Sequence, residues 1–139
     1  MDTVHAIWDF YDGPRTGVAS FHGQPHYFSC QWDDAEDDYS NTYSLSPIDA
    51  DTFALVLQQR AIWQEWEVAF HAGQVSSESH PGLGGRDLRY DQLQVLLQAR
   101  IGALPAPSFL VQAQFYSASA DRLPIGVMRA LLVQWSDAA

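Results

Sequence analysis

Alternating apolar and polar residues near the start of the chain predict three β-strands. The first covers residues 4–10, where one position in two is strongly apolar, which is the period of a strand with one apolar face. The DGPR run at residues 12–15 then predicts a turn. Further strands are predicted at residues 16–22 and 25–32, joined at Gly23-Gln24. The predicted apolar face of the first strand holds Val4, Ala6, Trp8 and Phe10.

The second and third strands are expected to form a two-residue hairpin, with His22 paired to Pro25 and Phe21 to His26. Because side chains alternate along a strand, this register sorts them onto two faces. The expected core face holds Ala19, Phe21, His26, Phe28, Cys30 and Trp32. In that position the Cys30 thiol is predicted to be buried and unreactive.

Two longer segments have the three- and four-residue apolar spacing of helices. The first opens at Ser46-Pro47, or with Asp49 as N-cap, and stops at Gly73. The second runs from Asp87 to Ile101, after a glycine-rich connection at residues 74–85. The predicted inward residues are Phe53, Val56, Leu57, Trp63, Trp66 and Phe70 in the first helix, and Leu88, Leu93, Leu96, Leu97 and Ile101 in the second.

Three more strands complete the predicted fold. Residues 39–45 form a short fourth strand, and residues 108–117 alternate apolar and polar positions. The last segment, residues 127–135, suits a strand that pairs with 108–117, or a helix that opens at Pro124; we adopt the strand. The sequence therefore predicts one α+β domain over residues 1–139. Its mainly antiparallel sheet, of N-terminal strands and a C-terminal hairpin, is packed on one face by two helices.

Composition agrees with a folded protein that works inside the cell. The 139 residues are 47% hydrophobic and 13% aromatic, which supplies material for one core. The single cysteine forms no internal disulfide, and the first residues, MDTVHAIWDF, lack the basic start and long apolar run of a signal peptide. No stretch reaches the length of a membrane-spanning segment. We therefore expect a soluble, cytoplasmic protein with no membrane partner.

The charge is concentrated in the first half of the chain. Residues 1–59 contain ten acids and one base, Arg15, whereas residues 60–139 contain seven acids and six arginines. A negative field of this kind repels nucleic acid and anionic lipid and attracts basic partners. We therefore expect no direct nucleic-acid binding.

None of the candidate chemical motifs specifies a catalytic centre. The acidic run at residues 33–38 lacks the ligand alternation and glycine of a calcium loop, so a solvated loop or a protein-binding patch is the better interpretation. The predicted register places His22 and His26 on opposite faces, which argues against a zinc site with Cys30. The run Gly82-Leu83-Gly84-Gly85 lacks the preceding strand and the following lysine of a phosphate loop. Glu65 and Glu67 lie two apart on the predicted helix, where we expect them to be solvated. We predict no catalytic residue, cofactor or metal.

Residues 9–19, DFYDGPRTGVA, followed by the GQPH run at residues 23–26, resemble a hairpin of small acidic bacterial proteins. In size, acidity and absence of catalytic motifs the chain is also similar to toxin-immunity proteins and phage-encoded inhibitors. This resemblance supplies no catalytic residue.

These observations favour a binding protein that masks a basic surface of another protein, as an immunity protein or an inhibitor does. The acids at residues 33–38 would steer association, and exposed aromatics would anchor it. The predicted partner-binding residues are Asp33, Asp34, Glu36, Asp37, Asp38, Tyr11, Tyr39 and Tyr43. One alternative is a small-molecule-binding or hydrolytic domain with a pocket between sheet and helices. Another is a structural subunit of a larger assembly.

Overall fold

The computed structural model describes residues 1–117 and 131–137, which form two compact units. The first unit holds residues 1–49, 104–117 and 131–137, and the second holds residues 50–103. The strands are β1 (Asp2–Phe10), β2 (Pro14–Phe21), β3 (Gln24–Asp33), β4 (Asp38–Pro47), β5 (Phe109–Ser117) and β6 (Leu131–Asp137). The helices are α1 (Ala50–His71) and α2 (Leu88–Gly102). The predicted α+β class with antiparallel strands is confirmed.

The six strands of the described residues form a closed barrel in sequence order. Strands β1 and β6 close it through the pairs Asp2–Val133 and Thr3–Leu132. The prediction of a sheet packed on one face by two helices is corrected here, because the sheet closes on itself as a barrel. Alternation could not distinguish the two arrangements, since each needs strands with one apolar face. Closure also removes the unpaired edges that an open sheet would expose.

The inward faces of all six strands supply the barrel core. Its centre is Phe28, whose ring lies within 6.1 Å of the rings of Tyr43, Phe115 and Trp135, measured between centroids. The indole of Trp135 also donates a hydrogen bond to the carbonyl of Ser20, across the interior from β6 to β2. The buried members of the core are Val4, Ala19, Phe28, Cys30, Tyr43, Leu45, Val111 and Val133.

The β2–β3 hairpin exists, but its register differs from the prediction by two residues. Phe21 pairs with Gln24 instead of His26, and the turn residues are His22 and Gly23. Their φ angles of 51° and 77° are the left-handed values that a type I′ turn requires at both central positions. A two-residue shift leaves every side chain on its predicted face, because the side-chain period is two. Cys30 is therefore buried as predicted.

Two predicted core residues lie outside the core, each near a strand end. Trp32 is 50% exposed and Phe10 is 65% exposed. Register shifts interrupt the alternation in both places, between residues 4 and 10 of β1 and between Cys30 and Trp32 of β3. A bulge redirects the side chains beyond it, which a strict period of two does not anticipate.

The helices begin and end close to their predicted positions, and Val56, Leu93 and Leu97 are buried as predicted. Helix α1 starts directly after Asp49, and α2 starts after Asp87, whose carboxylate accepts a hydrogen bond from the Tyr90 amide. Leu57, Leu88 and Leu96 are exposed, which corrects their predicted inward positions. The buried residues of α1 are instead mainly polar: Thr52, Val56, Gln59 and Glu67. Neither helix of the described residues combines the length and apolarity needed to cross a membrane.

The final predicted segment is partly described. Residues 131–137 form β6 and pair with β5, which confirms the strand there. The remainder of the segment, including the alternative helix start at Pro124, lies outside the described residues.

Candidate functional site

The predicted acidic run forms the turn between β3 and β4. Asp33 ends β3, Asp38 begins β4, and the residues between them are exposed. The Asp33 carboxylate accepts hydrogen bonds from the amides of Ala35 (3.0 Å) and Glu36 (3.3 Å), which shapes the turn. The Asp38 carboxylate accepts a hydrogen bond from the Tyr39 amide at 2.7 Å. Asp34, Glu36 and Asp37 are exposed.

The turn between β1 and β2 lies beside this acidic turn, at the same end of the barrel. The Tyr11 and Tyr39 rings are 6.3 Å apart, and the Trp32 ring meets Tyr39 edge-on at 5.1 Å. Tyr11 is 70% exposed and Tyr39 is half-buried. The two predicted anchors Tyr11 and Tyr39 are therefore in contact. Two further exposed aromatic residues, Trp32 and Phe10, which the sequence assigned to the core, lie at the same end of the barrel. We call residues 9–15 and 32–39 together the acidic end.

Tyr43 is buried, so the prediction that it is exposed is wrong, and it does not contribute to the surface of the acidic end. Only 4% of its surface is exposed, and its hydroxyl donates a hydrogen bond of 2.7 Å to the carbonyl of Pro14. Burial raises the pKa of the Tyr43 hydroxyl well above its ordinary value. Tyr43 shares its face of β4 with buried Leu45, so the alternation in this strand already contained the signal.

Arg15 organises the acidic end. Its Nε donates to the carbonyl of Tyr11 (2.7 Å), and one Nη donates to that of Asp12 (3.0 Å). The other Nη contacts the Cys30 sulfur at 3.5 Å, and the guanidinium carbon lies 4.4 Å from the centre of the Tyr39 ring. One side chain therefore ties the β1–β2 turn to the aromatic group through hydrogen bonds and a cation–π contact.

A cleft of about 350 Å³ opens beside Arg15. The hydroxyl of Thr16 donates a hydrogen bond of 2.7 Å to the carboxylate of Asp9, one of the acids in its wall. The Cys30 thiol lies on the buried side and donates to the carbonyl of Ser40 at 3.1 Å. The residues that line the cleft are Asp9, Phe10, Tyr11, Arg15, Thr16, Ser29, Cys30 and Tyr39.

A second cleft, of about 400 Å³, lies on β4, β5 and β6. Amide and hydroxyl side chains dominate its lining, and none of the lining residues is ionisable at neutral pH. The lining consists of Asn41, Gln112, Ala113, Gln114, Gln134 and Ser136. Such a surface forms hydrogen bonds but contains no acid or base for catalysis.

The helical unit contains a buried carboxylate that the sequence placed in solvent. Glu67 is 6% exposed, and its carboxylate accepts a hydrogen bond from the Trp63 indole at 2.6 Å. The His80 ring lies 4.2 Å from Trp63 and 4.4 Å from Trp66, between centroids. Burial lowers the pKa of His80, and the nearby charge of Glu67 opposes that effect. The expectation that Glu67 is solvated is therefore wrong.

Across the described ranges, 1–117 and 131–137, no three His, Cys, Asp or Glu side chains converge as a metal site. His22 lies in the exposed β2–β3 turn, whereas His26 is buried and contacts the carbonyl of Gln24 at 2.9 Å. His22 and His26 both contact the Phe21 ring, but with Cys30 they do not form a group of three that could hold a metal ion.

Comparison of the chain with protein-family models, with curated proteins and with solved structures finds no match.

Proposed function

We propose that this protein binds a basic surface of a partner protein through its acidic end, in the manner of an immunity protein or an inhibitor inside the cell. The observation that supports this most directly is that acidic and exposed aromatic side chains occur together at one end of the barrel. Each class has a separate role in binding: charge guides the encounter, and aromatic area holds the complex.

The charge of the acidic end is suited to long-range attraction. Seven carboxylates lie in residues 9–15 and 32–39, against one arginine. The guanidinium of that arginine is already held by carbonyls of its own turn. The Debye length at physiological ionic strength is about 8 Å, so charges clustered in adjacent turns act together on an approaching partner. A basic surface would therefore be attracted and an acidic one repelled.

The aromatic side chains supply area that a partner can cover. Tyr11, Trp32 and Phe10 are each at least half exposed. The Tyr39 ring contacts the rings of Tyr11 and Trp32, and the Arg15 guanidinium lies over Tyr39. Aromatic residues supported by packing lose little conformational freedom on binding, which is why they are frequent among residues that dominate interface energies. The acids around them would form the polar rim.

A small-molecule-binding function is the second candidate. It is supported by the two clefts of about 350 and 400 Å³, sizes within the range of ligand pockets. A screen of metabolites by thermal shift would separate the candidates, because only a ligand that occupies a cleft stabilises the isolated protein.

The binding proposal is tested by capture of partners from a lysate of the native host at low and high salt, followed by association rates with the captured protein. The test variant carries Asp33→Asn, Asp34→Asn, Asp37→Asn and Asp38→Asn. The control variant makes the same net change at exposed acids elsewhere: Asp51→Asn, Glu65→Gln, Glu78→Gln and Asp137→Asn.

We expect the test variant to associate about tenfold more slowly at low salt, with the difference shrinking as salt rises. The stability of both variants should change little, because exposed charges contribute little to folding. Equal rates for wild type and test variant at both salt concentrations would contradict the proposal, as would an equal loss in the control.

A further inference from the structure

We propose that the cleft beside Arg15 receives an arginine side chain of the partner, with the carboxylate of Asp9 as its ionic contact. This inference rests on the proposed function and specifies the contact at the centre of the acidic end. It concerns a defined cavity with mixed aromatic, hydroxyl and carboxylate walls, and not the acidic turn at residues 33–38.

The walls of the cleft match the two requirements of a guanidinium group. A guanidinium donates planar hydrogen bonds to carboxylates and stacks on aromatic faces. Asp9 supplies the carboxylate, and the Tyr11 and Tyr39 rings supply aromatic surface. The guanidinium of Arg15 already lies over the Tyr39 ring, so the Tyr11 ring is the aromatic surface that a second guanidinium would contact.

Asp9 retains capacity for a further donor. A carboxylate has about four lone-pair sites, and the hydroxyl of Thr16 donates to one oxygen, Oδ2. The same hydrogen bond holds the carboxylate on the wall of the cleft, so less conformational freedom remains to be lost on binding. Asp9 is exposed, which leaves it accessible to a partner.

An anionic occupant fits the cleft less well, although Arg15 is positive. Three of the five N–H donors of Arg15 already contact acceptors, namely two backbone carbonyls and the Cys30 sulfur. An anion that reached the remaining donors would also approach the seven carboxylates of the acidic end. Coulomb repulsion by these carboxylates opposes the entry of an anion, whereas the same carboxylates attract a cation.

The probe is N-acetyl-arginine amide, with N-acetyl-citrulline amide as its neutral isostere. Each is titrated into the full chain while backbone amide shifts are followed by NMR. We expect arginine to shift the amides around Asp9, Tyr11 and Thr16 saturably, and citrulline to leave them nearly unchanged. Equal shifts with the two probes, or none with either, would overturn the proposal.

Asp9→Asn is the diagnostic variant, and Asp12→Asn is its matched control. Both remove one charge from residues 9–15, and both keep an oxygen acceptor, but Asp12 does not line the cleft. Asn is also tolerated at the left-handed φ of 53° that residue 12 adopts. We expect Asp9→Asn to weaken arginine binding about fivefold, the size of one partly solvated ion pair, and Asp12→Asn to weaken it much less.

Thr16→Val provides a second measurement that does not alter charge. It removes the hydrogen bond that positions Asp9, so arginine should bind more weakly while citrulline still causes no shift. Equal weakening of arginine binding by Asp9→Asn and Asp12→Asn would show that arginine is attracted by the overall negative charge, and it would refute binding in the cleft. If the Asp33/Asp34/Asp37/Asp38 variant slows partner association but arginine does not bind, the cleft is wrong and the docking surface stands.

Discussion

Replacement of Gly17 by alanine is expected to destabilise the barrel severely. Gly17 lies on β2 opposite Ile7 of β1 and faces the Phe28 ring. A Cβ added there would lie 2.1 Å from the carbonyl oxygen of Ala6 and 2.8 Å from Cζ of Phe28. Nonbonded heavy atoms are normally about 3.5 Å apart or more, so the carbonyl contact is too short by about 1.4 Å.

The free energy of unfolding should fall by about 3 kcal/mol or more. Overpacking of a core costs about 1–3 kcal/mol when side chains can adjust. Here the nearest atom belongs to the backbone of a paired strand, which cannot rotate away without breaking β1–β2 hydrogen bonds. For the same reason, Phe28→Leu added to Gly17→Ala should not restore stability, since it relieves the ring contact and leaves the carbonyl contact.

Urea unfolding followed by tryptophan fluorescence measures this loss as a lower transition midpoint. Gly102→Ala is the control, because nothing lies within 4 Å of the added Cβ. Its effect should stay within about 1 kcal/mol, the usual range for glycine and alanine in a helix. A Gly17→Ala protein within about 0.5 kcal/mol of wild type, a shift typical of surface substitutions, would show that the pairing of Ile7 with Gly17 is wrong.

Three further predictions concern Cys30, His80 and Glu67. The Cys30 thiol should resist a thiol reagent in native protein and react once denaturant is added; rapid stoichiometric labelling of folded protein would contradict its burial. Because burial lowers the pKa of His80, the unfolded state binds its proton more tightly, so stability should be full above about pH 6.5 and decline as pH falls below it. Urea midpoints at pH 7.5 and 5.5 measure this decline, and His80→Gln should reduce it; an identical pH dependence in that variant would refute the assignment. Glu67→Ala should cost about 2 kcal/mol by leaving the Trp63 indole donor unpaired, and Glu67→Gln should cost less; equal losses in urea unfolding would exclude this hydrogen bond as the cause.

The sequence predicted the elements well because their periods are local properties. The strands at residues 16–22 and 25–32 and the helix after Asp87 are all present with small changes in their ends. The β2–β3 register was wrong because the turn residue His22 adopts a left-handed φ, which residue preferences assign to glycine or asparagine first. Barrel closure depends on pairing between Asp2 and Val133, two positions at opposite ends of the chain, and no local period reports such a contact.

Only the part of the candidate site that depends on local sequence was predicted. The acidic turn at residues 33–38 and the exposure of Tyr11 follow from local composition, but the contact between Tyr11 and Tyr39 follows from topology. Trp32 was assigned to the core because alternation continues formally through it, whereas the register shift after Cys30 ends the inward face. Glu67 was assigned to solvent because a carboxylate is seldom buried unless a donor meets it, and its donor Trp63 was itself assigned to the core.

Strand order explains why seven of the ten acidic residues in the first 59 positions lie at one end of the barrel. Consecutive antiparallel strands place alternate turns at the same end of the barrel, so the β1–β2 and β3–β4 turns meet although about twenty residues separate them. The intervening β2–β3 turn lies at the other end, and its two residues, His22 and Gly23, contain no carboxylate. The carboxylates of these three turns therefore lie at one end, whereas Asp2 and Asp137 lie at strand ends away from it. Carboxylates clustered in adjacent turns orient an approaching basic partner as well as attracting it, so the proposed binding should depend on the acids of these turns more than on the total number of acids.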